Sequence, residues 1–204
     1  MESEDLEKRM EHMNIGTATH SLFNDPHCGD QCRWWENEDS ITLCMVDGLG
    51  HGIEAETAAK AAIDCISRNL CEPLHHIFEK CDREIKHTRG TAMSIVIVDK
   101  NNSTLTHGGI GNINVVIRGR KKMNLSSDWG IVGGGYRKLN TNTVDLADGD
   151  LVLMWTDGIS ERLDISGYDE FLCRDVQKLA NQILRDHAKE TDDATILIYN
   201  RYNE

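Results

Sequence analysis

Two apolar runs in this sequence end in the same way. Residues 41–46 lead into Asp47 and Gly48 in "MVDGLGHG", and residues 151–155 lead, one threonine later, into Asp157 and Gly158 in "LVLMWTDG". Acids at further strand ends are Asp30 in "CGD" and the pair Asp192–Asp193, which leads into a strand in "TDDATILIYN". A short run of apolar residues without alternation, bounded by turn residues, reads as a strand buried on both faces. A fold that brings such strand ends together gathers carboxylates, whose repulsion is severe unless a divalent cation offsets it. All-oxygen donors select hard ions such as Mg²⁺ or Mn²⁺ over Zn²⁺ or Cu²⁺. Glycine directly after the acid leaves its carbonyl unobstructed, which suits a site that also admits phosphate. Taken singly, each Asp-Gly is a favoured turn pair. "MVDGLGHG" alone fits a tight turn, a phosphate-cradling loop or a metal carboxylate. The recurrence in this chain order favours the metal.

The rest of the chain supplies a frame for those ends. Ala55, Ala58, Ala59, Ala62, Ile63, Ile66 and Leu70 form one helical stripe, and its small alanines permit close packing on a sheet. A second helix starts near Pro73 and places Leu74, Ile77, Phe78, Cys81 and Ile85 on one face, with His75 and His76 solvated beside it. Strand patterns over 91–99, 103–109 and 112–119 are joined by hairpin-length links, so they are expected to be antiparallel neighbours. A polar, glycine-rich stretch (126–139) follows, then the strand at 151–155, a helix over about 174–187, and a last strand within 191–200. Residues 1–13 read as a solvated turn or loose tail, and 14–27 carry only weak strand and loop signals. No repeat or linker interrupts the pattern. We expect one domain, 1–204, of α+β class with antiparallel sheets.

The 204-residue chain carries a net charge of −12 and a pI near 5.2, which disfavours nucleic acid or an anionic membrane as partner. The charged start and the shortness of every apolar run predict no signal peptide and no spanning segment, and place the chain in the cytoplasm. Seven scattered cysteines, most on apolar positions, read as reduced, buried thiols. His27, Cys28 and Cys32 resemble half a zinc site but lack a second ligand pair. No cysteine is followed by arginine six positions later, against a thiolate phosphatase loop.

"CGD", "VDGLGHG" before an alanine-rich helix, "RGTAMSIVIVD", "GGIGN", "LVLMWTDGISE" and "DDATILI" resemble, in order, the motifs of the metal-dependent protein serine/threonine phosphatases, the PPM or type 2C family. The likeness runs from about Cys28 to Tyr199 and is greatest to the short bacterial SpoIIE/RsbX-like branch. It implies a sandwich of two antiparallel β-sheets flanked by α-helices, with a dinuclear metal site at one edge. By resemblance Asp47 bridges two metals, the Gly48 carbonyl joins the second, and Asp157 and Asp192 complete the first. Asp30 lies near the second metal and works through water. Asp193, where many members have asparagine, stands behind the ligands, and Gly90, Thr91, Gly111 and Asn112 match motifs that look structural.

The implied chemistry is hydrolysis of phosphoserine or phosphothreonine by a metal-bridged hydroxide. Two divalent cations, Mn²⁺ or Mg²⁺, lower the pKa of a shared water towards about 7, so Asp47 and Asp157 act through that water. Two departures stand out: the position after Asp47-Gly48 is Leu49 where larger members have histidine, and Arg33 lies downstream of Asp30 where they place a phosphate-binding arginine upstream. His51 is left as either a general acid or a plain loop residue. The resemblance suggests a monomer acting on phosphorylated STAS-domain scaffold or antagonist proteins of a stressosome. The alternatives are a SpoIIE-like phosphatase for another anti-anti-sigma factor, or a binding module that keeps the fold without activity. A glycine-rich ATP loop is disfavoured, because no G-x-x-x-x-G-K-[ST] stretch and no upstream Glu/Asn helix is present. Residues 120–140 are candidates for substrate selection or a plain surface loop, and Trp34–Trp35 for a partner contact or ordinary packing.

Overall fold

The computed structural model describes residues 14–119, 122–160 and 163–201, so the tail expected over 1–13 lies outside them. Two five-stranded sheets face each other. One has the order β1 (Ile15–His20), β12 (Ala194–Asn200), β11 (Leu151–Trp155), β6 (Asn114–Arg118) and β7 (Lys122–Leu125). The other has the order β10 (Thr141–Asp145), β5 (Thr104–Ile110), β4 (Thr91–Asp99), β3 (Ser40–Gly48) and β2 (Asp30–Glu36). Every pairing within them is antiparallel. A small hairpin, β8 (Gly130–Ile131) with β9 (Gly135–Tyr136), lies apart.

Helices cover both outer faces. α1 (Ile53–Ser67) and α2 (Leu74–Glu84) lie on the β2–β5 sheet, while α3 (Glu170–Arg174) and α4 (Val176–His187) belong to the other side. The apolar runs lack alternation because both faces of their strands are covered. On β3, Ile41, Leu43 and Met45 point between the sheets, while Cys44 and Val46 point at α1 and α2. On β11, Val152 and Met154 enter the inter-sheet core, and Leu151, Leu153 and Trp155 enter the cluster under α4. The odd positions of β12, Leu197 and Tyr199, also point inward. Burial of this kind is the main force holding the four layers together.

The expected α+β sandwich is what the chain forms, with one correction to its pairing. The strands expected over 91–99 and 103–109 are antiparallel neighbours, but the one expected over 112–119 is not their neighbour. The chain leaves β5 at left-handed Gly111 (φ 101°) and crosses to the other sheet, where β6 pairs with β11 and β7. The remaining differences lie at the edges. β2, β7 and β10 are edge strands with largely exposed residues, so they lack the apolar alternation that marks a half-buried strand. The helix expected over 174–187 begins after a break, because the Asp175 side chain accepts a hydrogen bond from the Lys178 amide (3.0 Å) and caps α4. Part of the glycine-rich stretch is built in: Val132 is buried and exchanges two 2.9 Å backbone hydrogen bonds with Thr91. Trp35 packs against the helical cluster, whereas Trp34 is exposed.

Candidate metal centre

Antiparallel pairing puts the strand ends that carry Asp30, Asp47, Asp157 and Asp192–Asp193 at one end of the sandwich. β2 begins at Asp30 and β3 ends just after Asp47, and the two residues are direct partners in the ladder. β11 ends before Asp157 and β12 begins after Asp193, at the matching end of the other sheet. Side-chain parity then decides direction. Asp47 continues the inward series Ile41, Leu43, Met45, and Asp30 shares the parity of inward Cys32. Thr156 continues Val152 and Met154, and Thr195 and Asp193 precede Leu197 and Tyr199 on the inner face. The inter-sheet core is therefore closed at this end by a polar layer, through the same periodicity that fills its middle with hydrocarbon.

Hydrogen bonds fix that layer. The Thr156 hydroxyl donates to Asp30 Oδ2 at 2.6 Å, and the Thr195 amide donates to Thr156 Oγ1 at 3.0 Å. The Asp193 carboxylate accepts the Leu22 amide at one oxygen and the Gly29 amide at the other, both at 2.7 Å. It thereby ties the 22–29 loop to the start of β12. Asn112 Nδ2 donates to Asp157 Oδ2 at 2.8 Å, and Lys189 Nζ donates to the Asp157 carbonyl at 2.6 Å. The glycines after the two acids are required by close packing. A Cβ at Gly48 would stand 2.1 Å from the Ala55 carbonyl oxygen, and one at Gly158 would stand 1.8 Å from that of Asp193.

The electrostatics are those of carboxylates crowded together under burial. Burial, then Asp30, Asp157, Asp192 and Asp193 in turn, push the Asp47 carboxyl up to about 9. Burial pushes Asp30 up to about 7 against the opposing Thr156 hydrogen bond. Asp192 is also raised, first by burial and further by Asp157 and Asp193, while the nearby His51 acts in the opposite direction.

Residues 37–202, most of the chain, match the family described as Stage II sporulation protein E (SpoIIE). The chain belongs to the SpoIIE family. Within this frame it is similar to the phosphoserine phosphatase RsbX of Bacillus subtilis (strain 168), with 24% identity over 193 residues that cover 92% of this chain and 96% of that protein. Among solved structures it resembles a chain described under "The bacterial stressosome: a modular system that has been adapted to control secondary messenger signaling" (28% identity, TM-score 0.83, covering 90% of this chain and 97% of that one). It also shares its fold with RsbX crystallised with magnesium (19% identity, TM-score 0.77, covering 90% and 92%).

The residues of this SpoIIE-family chain fit divalent cations by chemistry. Asp30, Asp157 and Asp192 all lie near enough to Asp47 to raise its carboxyl, and the donors are oxygens alone. Among the described residues no three His, Cys, Asp or Glu side chains are yet gathered as one ion would gather them. A donor set of oxygens alone suits Mg²⁺ or Mn²⁺ better than Zn²⁺, which favours Cys and His. The half zinc site does not assemble. His27 Nδ1 meets Glu56 Oε2 at 2.9 Å, and Cys32 lies in the inter-sheet core. Burial, then Asp30 and Asp193, push the Cys28 thiol up to about 12. Arg33 turns back to the Cys32 carbonyl, away from any phosphate role. Thr156 was not singled out in the sequence, although its inward parity one residue before Asp157 is a readable signal. Asn112, which looked structural, directly holds a candidate ligand.

Proposed function

We propose that this chain is a metal-dependent protein serine/threonine phosphatase. In this reading it forms a single domain over 1–204 and works as a cytoplasmic monomer on phosphorylated STAS-domain scaffold or antagonist proteins of a bacterial stress-signalling system. The observation that carries the chemistry is the convergence of five aspartates on one end of the sandwich, with the central one, Asp47, pushed up to about 9. Family membership, the relative RsbX and the stressosome neighbour support the activity and the partner class. Among the described residues no helix is long and apolar enough to cross a membrane.

Asp47, Asp157, Asp192 and the Gly48 carbonyl would hold the cations, and Asp30 would serve from its buried place behind Asp47. Bound Mg²⁺ or Mn²⁺ would neutralise charge on the phosphate and lower the pKa of water, so that hydroxide is available as nucleophile near neutral pH. The chain's own residues position these groups. Asn112 orients the Asp157 carboxylate from one side while Lys189 holds its backbone from the other. Thr156 locks Asp30 in one rotamer, and Asp193 spends both oxygens on backbone amides, so it supports the site without facing an ion. Such pre-organisation keeps ligands where charge develops in the reaction.

Hydrolysis of p-nitrophenyl phosphate tests the activity. It should require Mn²⁺ or Mg²⁺ and be abolished by Asp47→Asn and by Asp157→Asn; activity that survives both substitutions overturns the reading. Phosphate release from a purified phosphorylated STAS-domain protein should outpace release from unrelated phosphopeptides. Equal rates on all of them would remove the substrate claim.

A further inference from the structure

The acid end of the sandwich also carries most of the exposed apolar bulk. The three most exposed large apolar side chains among the described residues are Trp129 (96%), Phe23 (83%) and Ile53 (59%). All three are tied to the aspartates by short chains of contacts. The amide of Leu22, next to Phe23, is held by Asp193. Ile53 opens α1, whose first turn sits on Gly48 so closely that a Cβ there would strike Ala55. Trp129 follows Asp128, whose carbonyl accepts the Gly111 amide at 2.9 Å, and Gly111 leads directly to Asn112 and so to Asp157. The apolar residues thus stand on separate elements around one charged centre.

The Phe23 turn is built against its own backbone preference. Phe23 (φ 53°, ψ 23°) and Asn24 (φ 55°) are both left-handed, an uncommon state for a bulky residue. The conformation is held from outside, by Asp193 on the Leu22 amide and by the Ser21 hydroxyl on the Asp25 carbonyl at 2.7 Å. Its result is an aromatic ring pushed into solvent beside the aspartates. Aromatic side chains exposed in this way, rimming a polar centre, are what protein interfaces bury as anchors.

We propose that Phe23, Ile53 and Trp129 form a docking rim that seats the folded surface around the phosphorylated residue of a phosphoprotein, against apolar side chains on that surface. The occupant follows from continuity with the aspartate centre: a phosphate delivered to those acids brings its own protein surface onto the rim. The net charge of −12 favours apolar contact over ionic contact with acidic phosphoproteins. This rests on the phosphatase reading.

The test is a split between substrates in the full chain loaded with Mn²⁺. Phe23→Asn, which the left-handed backbone accepts, and Trp129→Ala each remove an exposed ring without opening the core. Each should lower kcat/KM on a purified phosphorylated STAS-domain protein by roughly tenfold or more. Rates on p-nitrophenyl phosphate should stay within about twofold, since neither residue belongs to the proposed metal centre. Phe23→Tyr should retain most of the wild-type rate on the protein. Unchanged kcat/KM on the phosphoprotein overturns the proposal, as does an equal loss on a short phosphoserine peptide, because the rim would then read no folded surface. A wild-type dimer by light scattering that Trp129→Ala converts to monomer also overturns it in favour of a second copy. Failure of the wild-type chain to hydrolyse p-nitrophenyl phosphate would instead be the failure of the phosphatase reading.

Discussion

The two ends of the sandwich are both rich in charge, and they treat it in opposite ways. At the end where β3 begins and β4 and β12 finish, charges meet partners. Lys100 reaches Glu36 at 2.6 Å and the Asn37 carbonyl at 2.7 Å. Asp99 accepts the amides of Asn101 and Asn102, and hydrogen bonding from Asn102 holds its carboxyl below the usual range. Buried Arg201 bonds Asp148 and Ser103. At the other end the aspartates face each other, and the carboxyls of Asp30, Asp47 and Asp192 are pushed up. Paired charge is an ordinary way to close a barrel or sandwich, whereas like charge held together by burial stores a cost that a bound cation or a proton relieves. The contrast marks one end as a site and the other as a cap.

The largest effect should come from Asp47→Asn. Phosphatase activity should fall by roughly a hundredfold or more, as when an electrostatic stabiliser is removed. Without cation, the wild-type Asp47 carboxyl is raised from 3.8 to about 9, so the folded state holds its proton more tightly than the unfolded chain. Its contribution to stability is full at low pH and declines as pH rises between those values. Thermal melts without metal should therefore show wild-type stability falling between about pH 6.5 and pH 9, above the window in which buried His107 contributes a slope of opposite sign. The slope should be shallower in Asp47→Asn, and excess Mg²⁺ should flatten it in the wild type. An identical slope in both proteins would break the contrast between the ends.

Between the ends, fully buried His107 bonds Ser94 Oγ through Nε2 at 2.9 Å, and burial lowers its pKa from 6.5 to about 4. Here the unfolded chain takes the proton first, so stability should be lost as pH falls from 6.5 towards 4, by about 3 kcal/mol. Urea unfolding of wild type against His107→Gln across that window measures it, the variant lacking this slope. Arg201→Met at the capped end should destabilise by about 2 kcal/mol, through loss of the bonds to Asp148 and Ser103, and leave kcat unchanged. Loss of Mg²⁺-dependent activity in that variant would show that the ends are coupled. Lys100→Ala should do least, under about 0.5 kcal/mol in the same unfolding assay, because its ion pair with Glu36 is solvated.

Much of this architecture is legible in the order of residues. The runs at 41–46 and 151–155 are apolar throughout because helices cover the outer face and the second sheet covers the inner one. The acids at their ends are visible because a strand must stop where hydrocarbon stops. The edge strands β2, β7 and β10 were not legible, since an edge exposed to water needs no apolar face. Parity and chain order thus identify the acids by local rules alone. Which acids share one space is set by contacts between residues far apart in sequence, such as Thr156 with Asp30, 126 positions away, and Leu22 with Asp193, 171 away. The roles of Thr156 and Asn112, the two occupied oxygens of Asp193 and the outward Phe23 ring all depend on how the sheets are stacked. The amino-acid pattern marks the central strands, their covered faces and the carboxylates at their ends. Only the tertiary structure decided which of those carboxylates are held by neighbours and which are left facing one another, because repulsion and hydrogen bonding act through space while periodicity acts along the chain.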